Sequence, residues 1–229
     1  MEYYHSLISL EKANMDFKLR QPVDFSLMML KILEQIVTWG RSEEPDSVGM
    51  PYLYIDPENL KRAFIVKSGQ IVSFAFPFRI GKKRGSEDII VHHRSALLDA
   101  ALISKATTIA NDNKRLKSYA AVATGLDLND SLDASAASLF EEIMALEPSY
   151  IRYDYDKKSA RGQLHPTYHF DVNYSMPYTY KLGLYRPLSI NKLIAILDKN
   201  TKCSYVDKYY VRWYCTFKRR VKKLIKRRR

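Results

Sequence analysis

The stretch from 150 to 172, YIRYDYDKKSARGQLHPTYHFDV, carries two histidines and three aspartates at a spacing typical of β-strands. Side chains on a strand alternate between its two faces, so residues two apart share a face. Arg152, Asp154 and Asp156 therefore share one face of a first segment. On a second segment the polar residues that share a face are His165, Thr167, His169, Asp171 and Asn173.

The two segments predict a hairpin with KKSARGQL as its loop. A symmetric register then places Asp156 near His165, Asp154 near Thr167 and Arg152 near His169. Directly opposed side chains lie within about 5.5 Å at Cβ. One face would thus gather charged and imidazole groups, with Lys181 of a third segment able to join them. The gathered residues are Arg152, Asp154, Asp156, His165, His169 and Asp171.

Two mechanisms could use such a face. Imidazole nitrogens and carboxylate oxygens can hold a divalent metal that activates water for hydrolysis. Alternatively, a histidine beside a carboxylate can act as general base in RNA cleavage, while Arg152 or Lys181 counters the phosphate charge. The candidate catalytic residues are His165, His169, Asp154 and Asp156, and the identity of any metal stays open. The supporting residues are Arg152, Asp171, Lys181 and Arg186.

A structural interpretation competes with catalysis at this hairpin. An antiparallel sheet with one face in the core has a polar face in water, and cross-strand ion pairs are ordinary there. Partner binding is a third alternative.

The C-terminal end is strongly basic. Residues 218–229 hold nine Lys or Arg and no acid, whereas the whole chain has a net charge of +12. Apolar and aromatic residues at helical spacing before and among them predict a basic amphipathic helix over 205–229. Crowded cations repel one another unless a polyanion is near, so we expect nucleic acid as the partner. The candidate nucleic-acid-binding residues are Lys218, Arg219, Arg220, Lys222, Lys223, Lys226, Arg227, Arg228 and Arg229. The alternatives are an anionic membrane surface, an acidic protein and the absence of any partner.

The rest of the chain predicts an α+β fold with antiparallel strands flanked by helices. Periodicity indicates helices over 22–39, 94–112 and 133–147, the last with Asp133 as N-cap, and another over 189–199 with Ser189 as N-cap. Two or three antiparallel strands are expected between 50 and 93. Three more are expected at 150–156, 165–174 and 178–184. We expect one domain over 1–204, with an optional division near 113–132, followed by the tail.

Composition and motifs exclude several classes of protein. The chain is 46% hydrophobic and 27% charged, which suits a folded domain rather than a disordered one. It has eight glycines, no glycine-rich phosphate loop and no G-x-S-x-G elbow, which argues against an ATPase, a kinase or a dinucleotide enzyme. The two cysteines lack metal-ligand spacing, and no secretory signal or membrane-length apolar run occurs. We expect a cytoplasmic protein.

The string IRYDYD…LHPTYHFDVNYS followed by LGLYRPLSINKLIAIL resembles a bacterial family known only as domain of unknown function 2290. The resemblance spans about 148–200 and rests on an Asp-bearing strand, an H-P-x-x-H strand, an Arg-Pro step and a helix. The matching residues are Asp154, Asp156, His165, Pro166, His169, Arg186 and Pro187. It implies a bacterial cytoplasmic protein encoded among mobile or phage-defence genes, with no assigned reaction.

These observations lead to two expectations about function. The first is a nucleic-acid-associated component of a phage-defence or toxin system, with a nuclease-type hydrolytic site on the 150–172 hairpin. The second is a non-enzymatic subunit or adaptor that binds a larger protein or nucleoprotein complex through a tyrosine-rich surface and the basic tail. The chain contains 17 tyrosines.

Overall fold

A computed structural model of the chain describes residues 3–6, 19–40, 51–116, 127, 129–173 and 178–203. The predicted basic helix over 205–229 lies outside these residues. Contacts divide the chain into two compact units, Met1–Ile190 and Asn191–Arg229. The first unit contains the strands and three complete helices, and the second contains most of a short helix.

The described residues form four helices and ten strands. The helices are α1 Pro22–Trp39, α2 Ala100–Leu116, α3 Ser131–Ala145 and α4 Ile190–Leu197. The strands are β1 Tyr3–Ser6, β2 Tyr52–Asp56, β3 Arg62–Lys67, β4 Gln70–Ala75, β5 Arg79–Lys82, β6 Ile89–His93, β7 Ala96–Leu98, β8 Ile151–Tyr155, β9 Tyr168–Val172 and β10 Tyr180–Leu184. Every strand pairing is antiparallel, which confirms the predicted α+β class.

The strands form two sheets. The larger has the order β1-β2-β3-β4-β8-β9-β10, and the smaller has the order β5-β6-β7. The hairpin formed by β8 and β9 therefore continues the larger sheet beyond β4. The three strands predicted after Pro148 lie next to one another, at one side of that sheet.

Helix α1 packs on one face of the larger sheet. Its ends follow the predicted signals, with Pro22 in the first turn and Gly40 in a left-handed conformation (φ 61°) that closes the last turn onto the Ile36 carbonyl at 3.0 Å. The ring of Phe25 meets the ring of Phe74 on β4 edge to face, with centroids 5.8 Å apart. Helices α2 and α3 pack against α1, and together these elements bury one hydrophobic core.

Three of the predicted elements are wrong in detail. The region 50–93 contains five strands rather than two or three. Strand β4 ends before Pro77, and the next strand, β5, pairs in the smaller sheet. Residues 96–98 are a strand rather than the start of a helix, since Leu98 pairs with Val91, and α2 begins only after Asp99 caps it.

The N-cap of α3 is Asp130 rather than Asp133. The Asp130 carboxylate accepts the backbone N–H groups of Leu132 and Asp133 at 2.9 and 3.0 Å. Asp133, in the first turn of the helix, instead forms an ion pair with Lys105 at 2.7 Å, and this hydrogen bond holds the Asp133 pKa below its usual value.

The residues that the structure describes include no helix long and apolar enough to cross a membrane.

A buried arginine fastens the beginning of β8 to the middle of the sheet. Arg62 donates from Nε to Ser73 Oγ at 2.9 Å and from its two terminal nitrogens to the hydroxyl and carbonyl oxygens of Ser149 at 3.0 and 2.5 Å. Burial lowers the Arg62 pKa to about 10, so the group stays charged at neutral pH. Ser149 has a positive φ of 45°, a strained conformation for this residue type.

We expect Arg62→Ala to lower the free energy of unfolding by about 2–4 kcal/mol, because it leaves the buried hydroxyl of Ser73 and the two oxygens of Ser149 without their donor. Urea titration of the full chain measures this. The matched control is Lys83→Ala on an exposed turn, which should change stability by less than about 0.5 kcal/mol. An equally small effect at Arg62 would contradict the role of this residue in holding β8.

Candidate functional site

The two strands of the hairpin pair two residues away from the predicted register. Asp154 lies opposite His169, Arg152 opposite Asp171 and Tyr155 opposite Tyr168. The loop is longer than predicted because Pro166 has no N–H for the ladder, and the Arg161 amide closes a turn onto the His165 carbonyl at 2.9 Å before β9 begins. A shift of two residues preserves the faces, so the predicted sharing of a face is confirmed although the pairs differ.

This polar face is continuous with the core face of the sheet. Val72, a core residue on β4, lies opposite Arg152 on β8, which lies opposite Asp171 on β9 and then Lys181 on β10. Directly opposed residues point to the same side of a sheet. The expectation of an open, water-exposed polar face is therefore wrong for its centre, because Asp171 is 5% and His169 1% exposed.

Two cations bind two carboxylates at the centre of this face. Arg152 donates to Asp154 Oδ2 at 2.8 Å and also contacts Asp171 Oδ2. Lys181 Nζ donates to Asp171 Oδ1 at 2.6 Å. Burial acts to lower the pKa of Arg152, but the hydrogen bond and charge of Asp154 outweigh it and raise that pKa overall. We call Arg152, Asp154, His169, Asp171 and Lys181 the ion cluster.

His169 is fixed by contacts at both ring nitrogens. Nδ1 lies 2.9 Å from the Pro166 carbonyl oxygen, so this nitrogen carries the proton and donates. Nε2 then has the lone pair and accepts from Lys181 Nζ at 3.0 Å. Pro166 in turn packs on Gly183, where an added Cβ would lie 2.8 Å from Pro166 Cγ. A side chain at 183 would therefore displace the residue that orients His169.

His165 has a different environment from His169, although the sequence ranks the two together. Its side chain is 25% exposed, and its ring meets the His169 ring edge to face with centroids 4.8 Å apart. Its enclosed Nε2 lies 3.4 Å from Asp156 Oδ2. The Ser159 backbone N–H donates to Asp156 at 2.9 Å and holds the Asp156 pKa below its usual value, so that carboxylate stays charged.

Asp154, His169 and Asp171 could also hold a metal ion, because one ligand atom from each lies within 4.8 Å of the others. One imidazole nitrogen and two carboxylate oxygens suit a divalent ion such as Mn²⁺ or Zn²⁺. Lys181 Nζ, however, already bonds to two of these three residues, through His169 Nε2 and Asp171 Oδ1. Arg152 and Lys181 also balance the charge of both carboxylates, so a metal would have to displace the Lys181 ammonium.

The structure separates the predicted supporting residues. Arg152, Asp171 and Lys181 belong to the ion cluster, whereas Arg186 is exposed and has no contact with the cluster in the described part of the chain. One contributor was missed, since Gln70 on β4 donates from Nε2 to Asp154 Oδ1 at 2.8 Å. No local signal could reveal it, because the pairing of β4 with β8 joins residues 84 positions apart.

A groove of about 390 Å³ opens beside Asp154 and Asp156. It runs along the β3–β4 turn and the end of β8. The lining residues are Lys67, Ser68, Gly69, Gln70, Asp154, Tyr155 and Asp156. The groove gives a ligand access to the exposed rim of the polar face.

Compared with protein-family models, with curated proteins and with solved structures, the chain has no significant match. The resemblance to domain of unknown function 2290 therefore stays a prediction, and the chemistry of the site has to be argued from its own residues.

We expect Asp171→Asn to lower the free energy of unfolding by about 2–3 kcal/mol. The substitution leaves Arg152 and Lys181 without a shared counter-charge, and their partial exposure keeps the effect below that of a fully buried pair. Urea titration provides the measurement, with Asp156→Asn at the rim as the control, for which we expect a change below about 0.5 kcal/mol. Equal stability of the two variants would contradict the central role of Asp171.

Proposed function

We propose that this protein cleaves phosphodiester bonds in RNA, with His165 as the general base and Lys181 as the cation that faces the phosphate. The observation that carries the proposal is that these two side chains both contact the imidazole ring of His169. The ring of His165 contacts the ring of His169, and Lys181 Nζ bonds to His169 Nε2. A partly exposed general base and a fixed cation are two of the groups that can catalyse RNA cleavage without a metal.

In the proposed reaction His165 takes the proton from a 2′-hydroxyl group, and the 2′ oxygen attacks the adjacent phosphorus. The bond between phosphorus and the 5′ oxygen breaks, and solvent supplies the proton for that oxygen. Asp156 favours the protonated imidazole that forms, because its charged carboxylate lies 3.4 Å from His165 Nε2. This leaves His165 Nδ1 as the nitrogen that accepts the proton.

Lys181 has a donor left for the substrate. An ammonium group has three N–H bonds, and the contacts with Asp171 and His169 use two of them. The side chain is 38% exposed, and we propose that a phosphate oxygen accepts the third. Asp154, Asp171 and Arg152 then act as the frame that holds this ammonium group rather than as reacting groups.

The basic tail supports nucleic acid as the partner. Nine cations within residues 218–229 would neutralise several phosphates and release their counterions. An anionic membrane surface or an acidic partner protein is the alternative for this segment. We further propose, on the resemblance to domain of unknown function 2290, that the protein works in the bacterial cytoplasm within a phage-defence or toxin system.

A non-enzymatic role is the second candidate, and one observation favours it. The five members of the ion cluster bind one another, as they would in a network that only stabilises the sheet. In that case the protein would be a subunit or adaptor that binds a larger protein or nucleoprotein complex.

We expect His165→Ala to lower the rate of RNA cleavage by about 100-fold or more, the usual contribution of a general base. Cleavage of a 5′-labelled single-stranded RNA, in EDTA and in Mn²⁺, provides the measurement. The control is His92→Ala on β6 in the smaller sheet, which should keep the wild-type rate. Thermal melting of both variants shows whether each is folded.

Three results would change this proposal. Cleavage that requires Mn²⁺ and is lost in Asp154→Asn would transfer the chemistry to a metal held by the ion cluster. Equal rates for wild type and a folded His165→Ala would remove His165 from the mechanism. No cleavage of any RNA by the wild type, together with retention on a partner complex, would support the adaptor.

We expect deletion of 218–229 to remove most of the salt dependence of RNA binding. The slope of log affinity against log salt is negative, and its magnitude falls by about 0.7 for each phosphate contact that the protein loses with a single strand. Fluorescence anisotropy between 50 and 300 mM salt measures the slope. A variant with glutamine at the nine basic positions keeps the length and should behave like the deletion. An unchanged slope would exclude the tail as the nucleic-acid-binding segment.

A further inference from the structure

The opposite face of the hairpin carries a row of aromatic side chains. By register, Tyr153 lies opposite Phe170, and Tyr155 lies opposite Tyr168. A groove of about 330 Å³ is lined by three of these residues, Tyr153, Tyr155 and Tyr168. Its other walls come from the β3–β4 turn and from Pro187 and Leu188. Large aromatic side chains at the rim of a groove offer flat apolar surfaces to a ligand.

Tyr155 is held firmly although it is 48% exposed. Its ring stacks on the Tyr168 ring, with centroids 5.2 Å apart and an interplanar angle of 21°. Its backbone N–H donates to the Gly69 carbonyl oxygen at 2.7 Å. Gly69 has a φ of +74°, and a Cβ there would lie 3.6 Å from Tyr155 Cβ, so the turn approaches the tyrosine closely. An exposed ring fixed in this way loses little conformational entropy when a ligand stacks on it.

The aromatic groove and the polar groove meet at Tyr155. Lys67, Gly69, Gln70 and Tyr155 line both of them. The aromatic groove reaches Tyr168, and the polar groove reaches Asp154 and Asp156, beside His165. A single-stranded nucleic acid carries flat bases on one side and phosphates along its backbone. One base could therefore stack on Tyr155 while the next phosphate lies towards the polar face.

We propose that Tyr155 is a base-stacking platform that makes the protein specific for single-stranded RNA. The inference rests on the proposed RNA cleavage and names its substrate class. In a duplex each base already has neighbours on both of its faces, so a base can stack on Tyr155 only where the strand is unpaired. Stacking is tolerant of base identity because every base has a π-face, so little sequence preference follows from it.

The test measures binding separately from cleavage. Full-length chains in a His165→Ala background are titrated into a single-stranded RNA with one 2-aminopurine. Anisotropy gives the affinity, and quenching of the 2-aminopurine reports stacking. Tyr155→Ala and Tyr155→Leu remove the aromatic ring, and Leu keeps an apolar side chain on Tyr168. Tyr155→Phe keeps the ring. Tyr178→Ala is the matched control. Tyr178 is a 72% exposed tyrosine that precedes the first residue of β10, whereas Tyr168 lies opposite the last residue of β10.

We expect Tyr155→Ala and Tyr155→Leu to bind about tenfold more weakly and to lose the quenching. Tyr155→Phe and Tyr178→Ala should stay within about twofold of the parent. A duplex of the same sequence should bind all variants equally. If Tyr155→Ala fails to fold, the comparison of the Leu and Phe variants decides.

Parent-like affinity and quenching in folded Tyr155→Leu would overturn the inference while leaving the proposed cleavage intact. Equal losses on single strand and duplex would also overturn it, since they would indicate a general effect on binding. Absence of cleavage by the wild type, with the stacking signal present, would remove the proposed cleavage and leave Tyr155 as an RNA-binding residue.

Discussion

The contact of Asp171 with two cations is the interaction on which the candidate site depends. This carboxylate is nearly buried, and it binds Arg152 from the neighbouring strand on one side and Lys181 from the strand on the other. Removing a charge from water is costly unless it is paired, so the three side chains are held together by the need to neutralise Asp171. The contact with Asp171 fixes the position of Lys181. The Lys181 ammonium in turn donates to His169 Nε2, so that nitrogen is the one that accepts.

The cluster gives the two histidines different roles. His169 has both nitrogens engaged and almost no exposed surface, which suits a residue that positions others. His165 stands at its edge, partly exposed and next to a charged carboxylate, which suits proton transfer. The segment His165–Pro166 connects the two histidines. Pro166 packs closely on Gly183, its carbonyl oxygen orients His169, and His165 directly precedes it.

Much of this arrangement could be predicted from the sequence, because alternation along a strand is a local property. The strands, their polar faces and the possibility that Lys181 joins the same face followed from it. The register did not follow, because it depends on how the loop closes before Pro166. The burial of the polar face could not be predicted either. It depends on the pairing of Val72 with Arg152, and no local pattern indicates which distant strand lies beside β8. For the same reason Gln70 was missed.

The most direct test of the account is the chemistry of the RNA ends after cleavage, read by mass spectrometry. Attack by the 2′-hydroxyl with His165 as base leaves a 2′,3′-cyclic phosphate, and a single 2′-deoxy substitution at the cut position blocks the reaction. We predict both results, in the absence of added metal. Linear phosphate ends only, with undiminished cleavage at the deoxy position, would mean that water is the nucleophile and would contradict the roles assigned to His165 and Lys181.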